Sequence, residues 1–287
     1  MSGKIFVGNT SNIATLPKNI LVGNPSNIAR NVKGIYVGNS QNQAVQVWPN
    51  GRVPVGYQEV EYIRSVYKTN TFYTGIKPNS NTRIVIDFMY TDILFSYADN
   101  FGRQPSSPFY TSENEEIFYY SGYQLTLNSV QNADYTTDFY FRVCFGSKYY
   151  NIYSLHQGTS SPDWSEAYNY FYPKLVNKKM TVDLNRNRGT LYIDGGLVKT
   201  FDNTFSQLGN EIRLLSYYHG SQFSYTEAWN KINLYSCQIY QNNVLVRDFI
   251  PCYHKTTYGV YLYDRVNGTL YQCNNSSQYP PYLGPDV

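Results

Sequence analysis

The carboxylates nearest to a catalytic pattern are two closely spaced pairs of glutamates. Glu115 and Glu116 are consecutive, so on a strand their side chains would point to opposite faces of a sheet. Glu59 and Glu61 would share a face, but they stand at the start of a strand-like segment. A glycoside hydrolase needs two carboxylates on either side of one cleft. Neither pair meets that requirement, so we predict no catalytic residues and no enzyme activity.

The histidines and the loop carboxylates give no complete metal-ligand pattern. The three histidines are far apart in sequence, without a carboxylate or second histidine at ligand spacing: His156, His219 and His254. We therefore predict no metal site and no cofactor. Calcium stays open, because Asp99-Asn100 and Asp194 supply oxygen ligands, although the ligand set is incomplete. Asp194-Gly195 is better explained as a hairpin turn.

Aromatic residues in two loop-like segments are the candidate binding residues. The first segment spans 160–170 and contains Trp164 and Tyr168. The second contributes four further candidates: Tyr217, Tyr218, His219 and Trp229. Sugar rings stack their C–H faces on aromatic side chains, while protein–protein interfaces are enriched in the same residue types. The sequence therefore leaves a glycan site and a protein interface open as equal alternatives.

The four cysteines are too widely spaced for a C-x-x-C metal pair: Cys144, Cys237, Cys252 and Cys273. Each stands in an apolar or aromatic strand-like context, which predicts buried free thiols. A bridge between Cys252 and Cys273 is left open, because both flank one C-terminal hairpin region.

Composition and turn spacing indicate an all-β protein. Aromatic residues make up 17% of the 287 residues and charged residues only 15%, whereas a disordered chain has high charge and few aromatics. Short alternating segments separated by turns predict a two-sheet sandwich: 82–88, 139–145, 179–184, 190–193, 197–201, 212–215 and 232–240. We predict no helix longer than a turn or two. The net charge of +3 and the lack of a long apolar stretch indicate neither nucleic-acid binding nor membrane insertion.

Three near-copies of one phrase recur every 15 residues at the start of the chain. Their shared positions are Ile5, Val7, Gly8 and Asn9, then Ile20, Val22, Gly23 and Asn24, then Ile35, Val37, Gly38 and Asn39. Alternation followed by Gly-Asn turn chemistry predicts one small hairpin in each copy. Because isolated hairpins are marginally stable in water, we expect this module to bind a partner.

The chain divides into a repeat module and a larger domain. Residues 48–56 contain Pro and Gly that punctuate the sequence, so we assign them to a linker. The repeats then occupy residues 1–47 and the large domain residues 57–287. The first residues, Met1-Ser2-Gly3-Lys4, lack the apolar region of a secretory signal, which predicts synthesis in a cytoplasm without that route of export.

Several phrases over about residues 54–275 carry a family resemblance. They are 56–63 with 74–80, Leu191-Tyr192-Ile193-Asp194-Gly195, and the closing phrases 245–253, 259–264 and 267–271. This set resembles concanavalin A-like, laminin-G-type jelly-roll domains, which are common in phage and prophage structural proteins of gut Firmicutes. The N-terminal repeats are similar to short repeats that precede such domains in virion proteins. The resemblance implies a jelly roll on the outside of a virion, and it implies no chemistry.

These observations predict a phage virion surface protein. Residues 1–47 would anchor it to other virion proteins, and the jelly roll would serve host-glycan adhesion or particle decoration. We expect a homo-oligomer. Attachment to a host would work through multivalency, because many weak sites on one particle give strong avidity. One alternative is a purely structural head-fibre, capsid-decoration, tail or baseplate subunit without a ligand. Another is a glycan depolymerase.

Overall fold

The computed structural model describes residues 21–23, 29–31, 35–38, 44–48, 53–65, 70–93, 109–111, 123–131, 136–145, 148–158, 163–186, 188–201, 211–215, 231–274 and 280–287. The chain forms two compact units, Met1–Arg52 and Val53–Val287. The boundary between them falls inside the predicted linker 48–56.

The first unit contains two hairpins that occupy equivalent positions in consecutive repeats. Strands β1 (Leu21–Gly23) and β2 (Ala29–Asn31) pair antiparallel, as do β3 (Ile35–Gly38) and β4 (Ala44–Trp48). Gly23 lies opposite Ala29 in the first hairpin, and Gly38 lies opposite Ala44 in the second. The predicted hairpin is thus confirmed for the second and third repeats. The first repeat, with Ile5, Val7, Gly8 and Asn9, lies outside the described residues, as do Ile20, Asn24 and Asn39.

An 11-stranded antiparallel sheet is the largest element of the second unit. Its strands are β5 (Tyr57–Glu59), β6 (Ile63–Arg64), β8 (Thr82–Asp92), β13 (Lys179–Asn185), β14 (Thr190–Ile193), β15 (Gly196–Thr200), β17 (Lys231–Gln241), β18 (Val244–His254), β19 (Val260–Asp264), β20 (Thr269–Gln272) and β21 (Tyr282–Leu283). The main path runs in the order β15-β14-β13-β8-β17-β18-β19-β20, with β5, β6 and β21 attached beside β17 and β18. The all-β prediction is confirmed.

Two three-stranded antiparallel sheets complete the β-structure of the described part of this unit. One contains β7 (Thr71–Tyr73), β9 (Phe109–Thr111) and β16 (Ile212–Leu215), with β16 in the middle. The other contains β10 (Tyr123–Gln131), β11 (Thr137–Phe145) and β12 (Lys148–Gln157), with β11 in the middle.

The main core lies against one face of the large sheet. Along β8, buried and half-buried residues alternate, so that Ile84, Ile86 and Phe88 point inward. The same cluster of buried side chains includes Phe141 from β11 and Leu214 from β16. Burying apolar side chains from facing sheets in one cluster gives a sandwich-like, layered arrangement. We call the face of the large sheet opposite this core its outer face.

Two of the hairpins of the large sheet are closed by tight two-residue turns. Asp194 and Gly195 have φ values of 50° and 79° and join β14 to β15, which confirms the predicted turn. Asn242 and Asn243, at 52° and 63°, join β17 to β18 in the same way. Positive φ at both central residues defines the hairpin turn whose twist matches that of the strands.

The prediction of no substantial helix is wrong. Helix α1 (Trp164–Leu175) has 12 residues and is capped by Asp163, whose carboxylate accepts hydrogen bonds from the backbone N–H groups of Ser165 and Glu166. This cap satisfies N–H groups that have no partner inside the helix. Among the described residues, no helix has the length and apolar character needed to cross a membrane.

The cysteines whose side chains are described are buried and free. Cys252 packs on the outer face in a small cluster with Ile250 and Tyr263, whereas Cys273 belongs to the main core on the other face. Opposite faces of one sheet keep the two sulfur atoms apart, so the bridge left open by the sequence does not form. Cys237 is also buried and free, as the sequence context predicts.

Candidate binding surface

Helix α1 carries the first two candidate aromatic residues, which the sequence places in a loop. Ala167, Phe171 and Leu175 are buried and fix one side of the helix against the core. Trp164 is half-buried on the same side, with its ring edge-on to Phe139 at a centroid distance of 5.2 Å. Trp164 therefore helps to seat the helix, and the prediction that its ring stands in a loop is wrong.

Tyr168 and Tyr172 form an aromatic pair at the surface of α1. Their ring centroids are 4.9 Å apart with an interplanar angle of 38°, and the side chains are hydrogen-bonded to each other. Tyr168 is 37% exposed, and Tyr172 is half-buried beside it. Desolvation, followed by the nearby Tyr172 and Asp92, raises the pKa of the Tyr168 phenol. The pair thus presents ring surface at the outside of the helix, which suits the apolar face of a sugar ring.

The third tyrosine of this helix is held by a lysine. Lys174 places its ammonium 3.4 Å from the ring centroid of Tyr170 and donates a hydrogen bond to the backbone oxygen of Tyr170 at 2.8 Å. A cation over the ring covers the surface that a sugar would use. Tyr168 and Tyr172 are therefore the better candidates on this helix.

A side-chain network fixes the start of α1. The Gln157 amide donates to the backbone oxygen of Asp163 at 2.9 Å and to the Glu166 carboxylate at 2.8 Å. The Gln157 amide oxygen accepts from the Asp163 backbone N–H at 2.7 Å. Because Gln157 ends β12, these bonds tie the helix to that strand and keep the tyrosine pair in place.

The outer face of the large sheet carries a second set of polar side chains. Arg83 on β8 makes two hydrogen bonds to Asp183 on β13, at 2.8 and 2.6 Å, and these bonds raise the pKa of the Arg83 guanidinium. Asp87 accepts from the hydroxyls of Thr181 and Ser236, at 2.6 and 2.8 Å. These contacts join three neighbouring strands across the face.

The same face continues onto β18 with another bonded carboxylate. Asp248 accepts hydrogen bonds from Gln238 at 3.3 Å and from Arg265 at 2.9 Å. The Tyr240 hydroxyl in turn donates to the Gln238 amide oxygen at 2.9 Å. Each of these carboxylates holds neighbouring side chains in position, which is a structural use of the charge.

Asp264 is a buried carboxylate at the core side of the sheet. Its Oδ1 accepts from the backbone N–H groups of Asp248 and Val266, and its Oδ2 lies 3.6 Å from Nε of Arg247. Desolvation raises the pKa of Asp264, while the backbone hydrogen bonds and Arg247 act in the opposite direction. The group fastens the end of β19 to β18.

The residues weighed for metal binding serve other purposes where they are described. The Asp194 carboxylate accepts from the Thr181 backbone N–H at 2.8 Å, beside its hairpin turn. His156 has a carboxylate partner that sequence spacing does not show, Asp138 on the neighbouring strand at 2.6 Å, and both side chains are exposed. Within the described ranges, no group of three or more His, Cys, Asp or Glu is placed to hold a metal ion.

The second predicted aromatic segment falls on residues that the structure does not describe. Tyr217, Tyr218, His219 and Trp229 lie outside the described residues, as do Asp99, Asn100, Glu115 and Glu116. Glu59 ends β5, and the Glu61 backbone N–H donates to Pro285. The structure thus brings Trp164 and Tyr168 onto one helix, in two different environments.

Tyr172 is the member of the surface pair that the sequence analysis does not identify. It stands four residues after Tyr168, which is the spacing of neighbours on a helix. The signal for that helix is Asp163 followed three residues later by Glu166, the pattern of a capping box. With the helix recognised from this signal, the two rings are expected side by side.

Comparison of the chain with protein-family models gives no match, and comparison with curated proteins gives none either.

Proposed function

We propose that this protein is a non-catalytic component of a phage virion surface, attached through its repeat unit and binding host-surface glycans through its sandwich unit. The observation that carries the proposal is the division into two compact units of very different size and construction, Met1–Arg52 and Val53–Val287. Both parts of the sequence resemble virion proteins, and this resemblance is the reason for proposing the virion as the location.

The construction of the first unit supports a role in attachment. Its described strands are only three to five residues long and pair as successive hairpins. Short two-stranded hairpins gain little stability by themselves and are stabilised by packing on something else. A repeated hairpin offers the same contact to a repeated surface, as the outside of a particle does.

The phrases of the second unit that carry the resemblance lie on strands and turns of the large antiparallel sheet. The phrase Leu191–Gly195 covers most of β14 and its turn into β15. The closing phrases form the meander of β18, β19 and β20. An antiparallel sandwich of this type suits display, because its loops and outer surface vary without change to the core.

Glycan adhesion is supported by the ring surface of the Tyr168–Tyr172 pair on helix α1. A single sugar site of this size binds weakly, but many copies on one particle act together. The described carboxylates of the outer face are engaged in ion pairs and hydrogen bonds within the sheet, which favours binding over hydrolysis.

A glycan array probed with the full-length protein tests the proposal. We expect binding that falls about tenfold in the double variant Tyr168→Ala and Tyr172→Ala. Asn169→Ala, an exposed neighbour on the same helix, is the matched control and should bind as the wild type does. An array that stays blank at millimolar sugar, with folded protein, would exclude adhesion and leave particle decoration without a ligand.

A further inference from the structure

The hairpin between β18 and β19 presents an aromatic ring to solvent in an unusual backbone conformation. Tyr258 has a φ of 56° and is 68% exposed. A bulky residue is disfavoured in this left-handed region, whereas glycine adopts it freely. Strained backbone conformations concentrate at functional sites. A tyrosine at a position whose φ suits glycine therefore indicates a functional role for the Tyr258 ring.

The loop that carries Tyr258 is held by several hydrogen bonds. The Tyr258 backbone N–H donates to the oxygen of His254 at 2.8 Å, and the His254 N–H donates to Gly259 at 2.9 Å. Nδ1 of His254 accepts from the N–H groups of Thr256 and Thr257, at 3.3 and 3.2 Å. The ring is therefore presented by a fixed loop, which lowers the entropy lost when a ligand binds.

A second ring and a carboxylate stand beside Tyr258. The ring of Tyr253 is parallel to that of Tyr258 within 7°, with centroids 6.0 Å apart. Tyr253 is half-buried against the main core, and its hydroxyl is hydrogen-bonded to the Asp286 carboxylate. Asp286 is itself positioned by a β-bridge to Val60. We call Tyr253, Tyr258 and Asp286 the tyrosine ledge.

We infer that the tyrosine ledge is a second sugar-binding site, selective for neutral hexopyranosyl residues. The exposed ring of Tyr258, stacked on that of Tyr253, offers flat surface to the C–H face of a sugar, and Asp286 accepts hydrogen bonds from the sugar hydroxyls. The negative charge of Asp286 disfavours acidic sugars. The inference rests on the proposed function for its ligand class, but the ledge stands on other elements than helix α1.

The test uses the full-length protein and an array of neutral oligosaccharides of glucose, galactose, mannose and N-acetylglucosamine, with uronic acid oligomers beside them. Tyr258→Gly is the decisive variant, because glycine adopts the native φ and the loop keeps its bonds. We expect Tyr258→Gly to lose about tenfold in affinity for the neutral sugars without a lower thermal midpoint. Asp286→Asn should weaken the same binding several-fold. Tyr282→Ala, whose side chain is 64% exposed on β21, is the control that should change nothing.

The outcomes separate the ledge from the wider proposal. Wild-type affinity in Tyr258→Gly, with loss in the Tyr168 and Tyr172 double variant, overturns the ledge and leaves glycan adhesion standing. No binding by the wild type overturns both. A lower thermal midpoint of Tyr258→Gly, or dissociation of an oligomer in sedimentation, would show that the ring packs within the protein or against another copy, and either result overturns the ledge.

Discussion

Burial controls the chemistry of the cysteines. Desolvation raises the pKa of Cys252 and of Cys273 from 9.0 to about 12, and it raises that of Cys237 as well. The thiolate is the reactive form of cysteine, so these side chains are packing residues at neutral pH.

Alkylation measures this burial directly. We expect Cys237, Cys252 and Cys273 to resist iodoacetamide at pH 8 in the folded protein and to react fully in denaturant, as read by peptide mass mapping. Native-state labelling of Cys252 or Cys273 at the denatured rate would contradict the packing, and a mass change on reduction would contradict the free thiols.

Tyr90 tests the packing of the core in a different way. Its hydroxyl is fully buried and has no hydrogen-bond partner among the described residues. An unpaired buried hydroxyl costs about 1–3 kcal/mol of desolvation. Tyr90→Phe should therefore raise the free energy of unfolding at pH 7 by about 1 kcal/mol in denaturant titration.

Tyr240→Phe is the matched control for that change, because the Tyr240 hydroxyl donates to Gln238 at 2.9 Å. Its loss should leave stability unchanged or lower it. Destabilisation by Tyr90→Phe would show that the buried hydroxyl is bonded, to an internal water for example.

Desolvation also raises the pKa of Tyr90, so folding opposes its ionisation and stability falls as pH rises above 10. Tyr90→Phe should reduce that fall.

The stability of helix α1 depends on one residue at its N-terminus, Asp163. The Asp163 carboxylate accepts from two N–H groups at the helix start. Asp163→Ala should cost about 1 kcal/mol, or about 2–4 °C in thermal midpoint for a unit of this size. Asn169→Ala, exposed in the middle of the helix, should not destabilise. Equal midpoints for Asp163→Ala and the wild type would contradict the capping role.

The strands can be predicted from the sequence more readily than helix α1. From Thr82 to Phe88 on β8, side chains that face the core alternate with side chains on the outer face. This period of two is typical of a half-buried strand. Asp194-Gly195 likewise reveals its turn through residue types that tolerate positive φ. Helix α1 is hidden because three tyrosines, an asparagine and Pro173 are poor helix formers, and tertiary packing overrides them.

The candidate sites are harder to predict from the sequence than the strands, because they depend on which residues lie opposite one another in paired strands. Tyr253 lies on β18 and Tyr258 in the loop that follows it, and the parallel placement of their rings depends on the pairing of Tyr253 with Val260 across two strands. Nothing in the sequence shows that Tyr258 has a positive φ. The sequence also does not show that Asp286 belongs to the tyrosine ledge, because its position there depends on the β-bridge between Asp286 and Val60.

For the chain as a whole, we expect the two units to separate under limited proteolysis. Trypsin cleaves after arginine, and Arg52 stands at the unit boundary in a Pro- and Gly-rich segment. We expect an early fragment, residues 53–287, that melts at the same temperature as the sandwich unit of the intact protein. Arg52→Gln should delay that cut without changing the melting. Degradation with no such intermediate would contradict two independent units.

Attachment of the chain to a virion is tested most directly by antibody labelling of intact particles. An antibody against residues 53–287 is applied to particles purified from cells that express this chain, and bound antibody is imaged by cryo-electron microscopy. We expect regular labelling of the particle surface, and loss of the label from particles assembled with a chain that lacks residues 1–52. Antigen found only in the soluble fraction of the lysate, with bare particles, would contradict the proposed attachment.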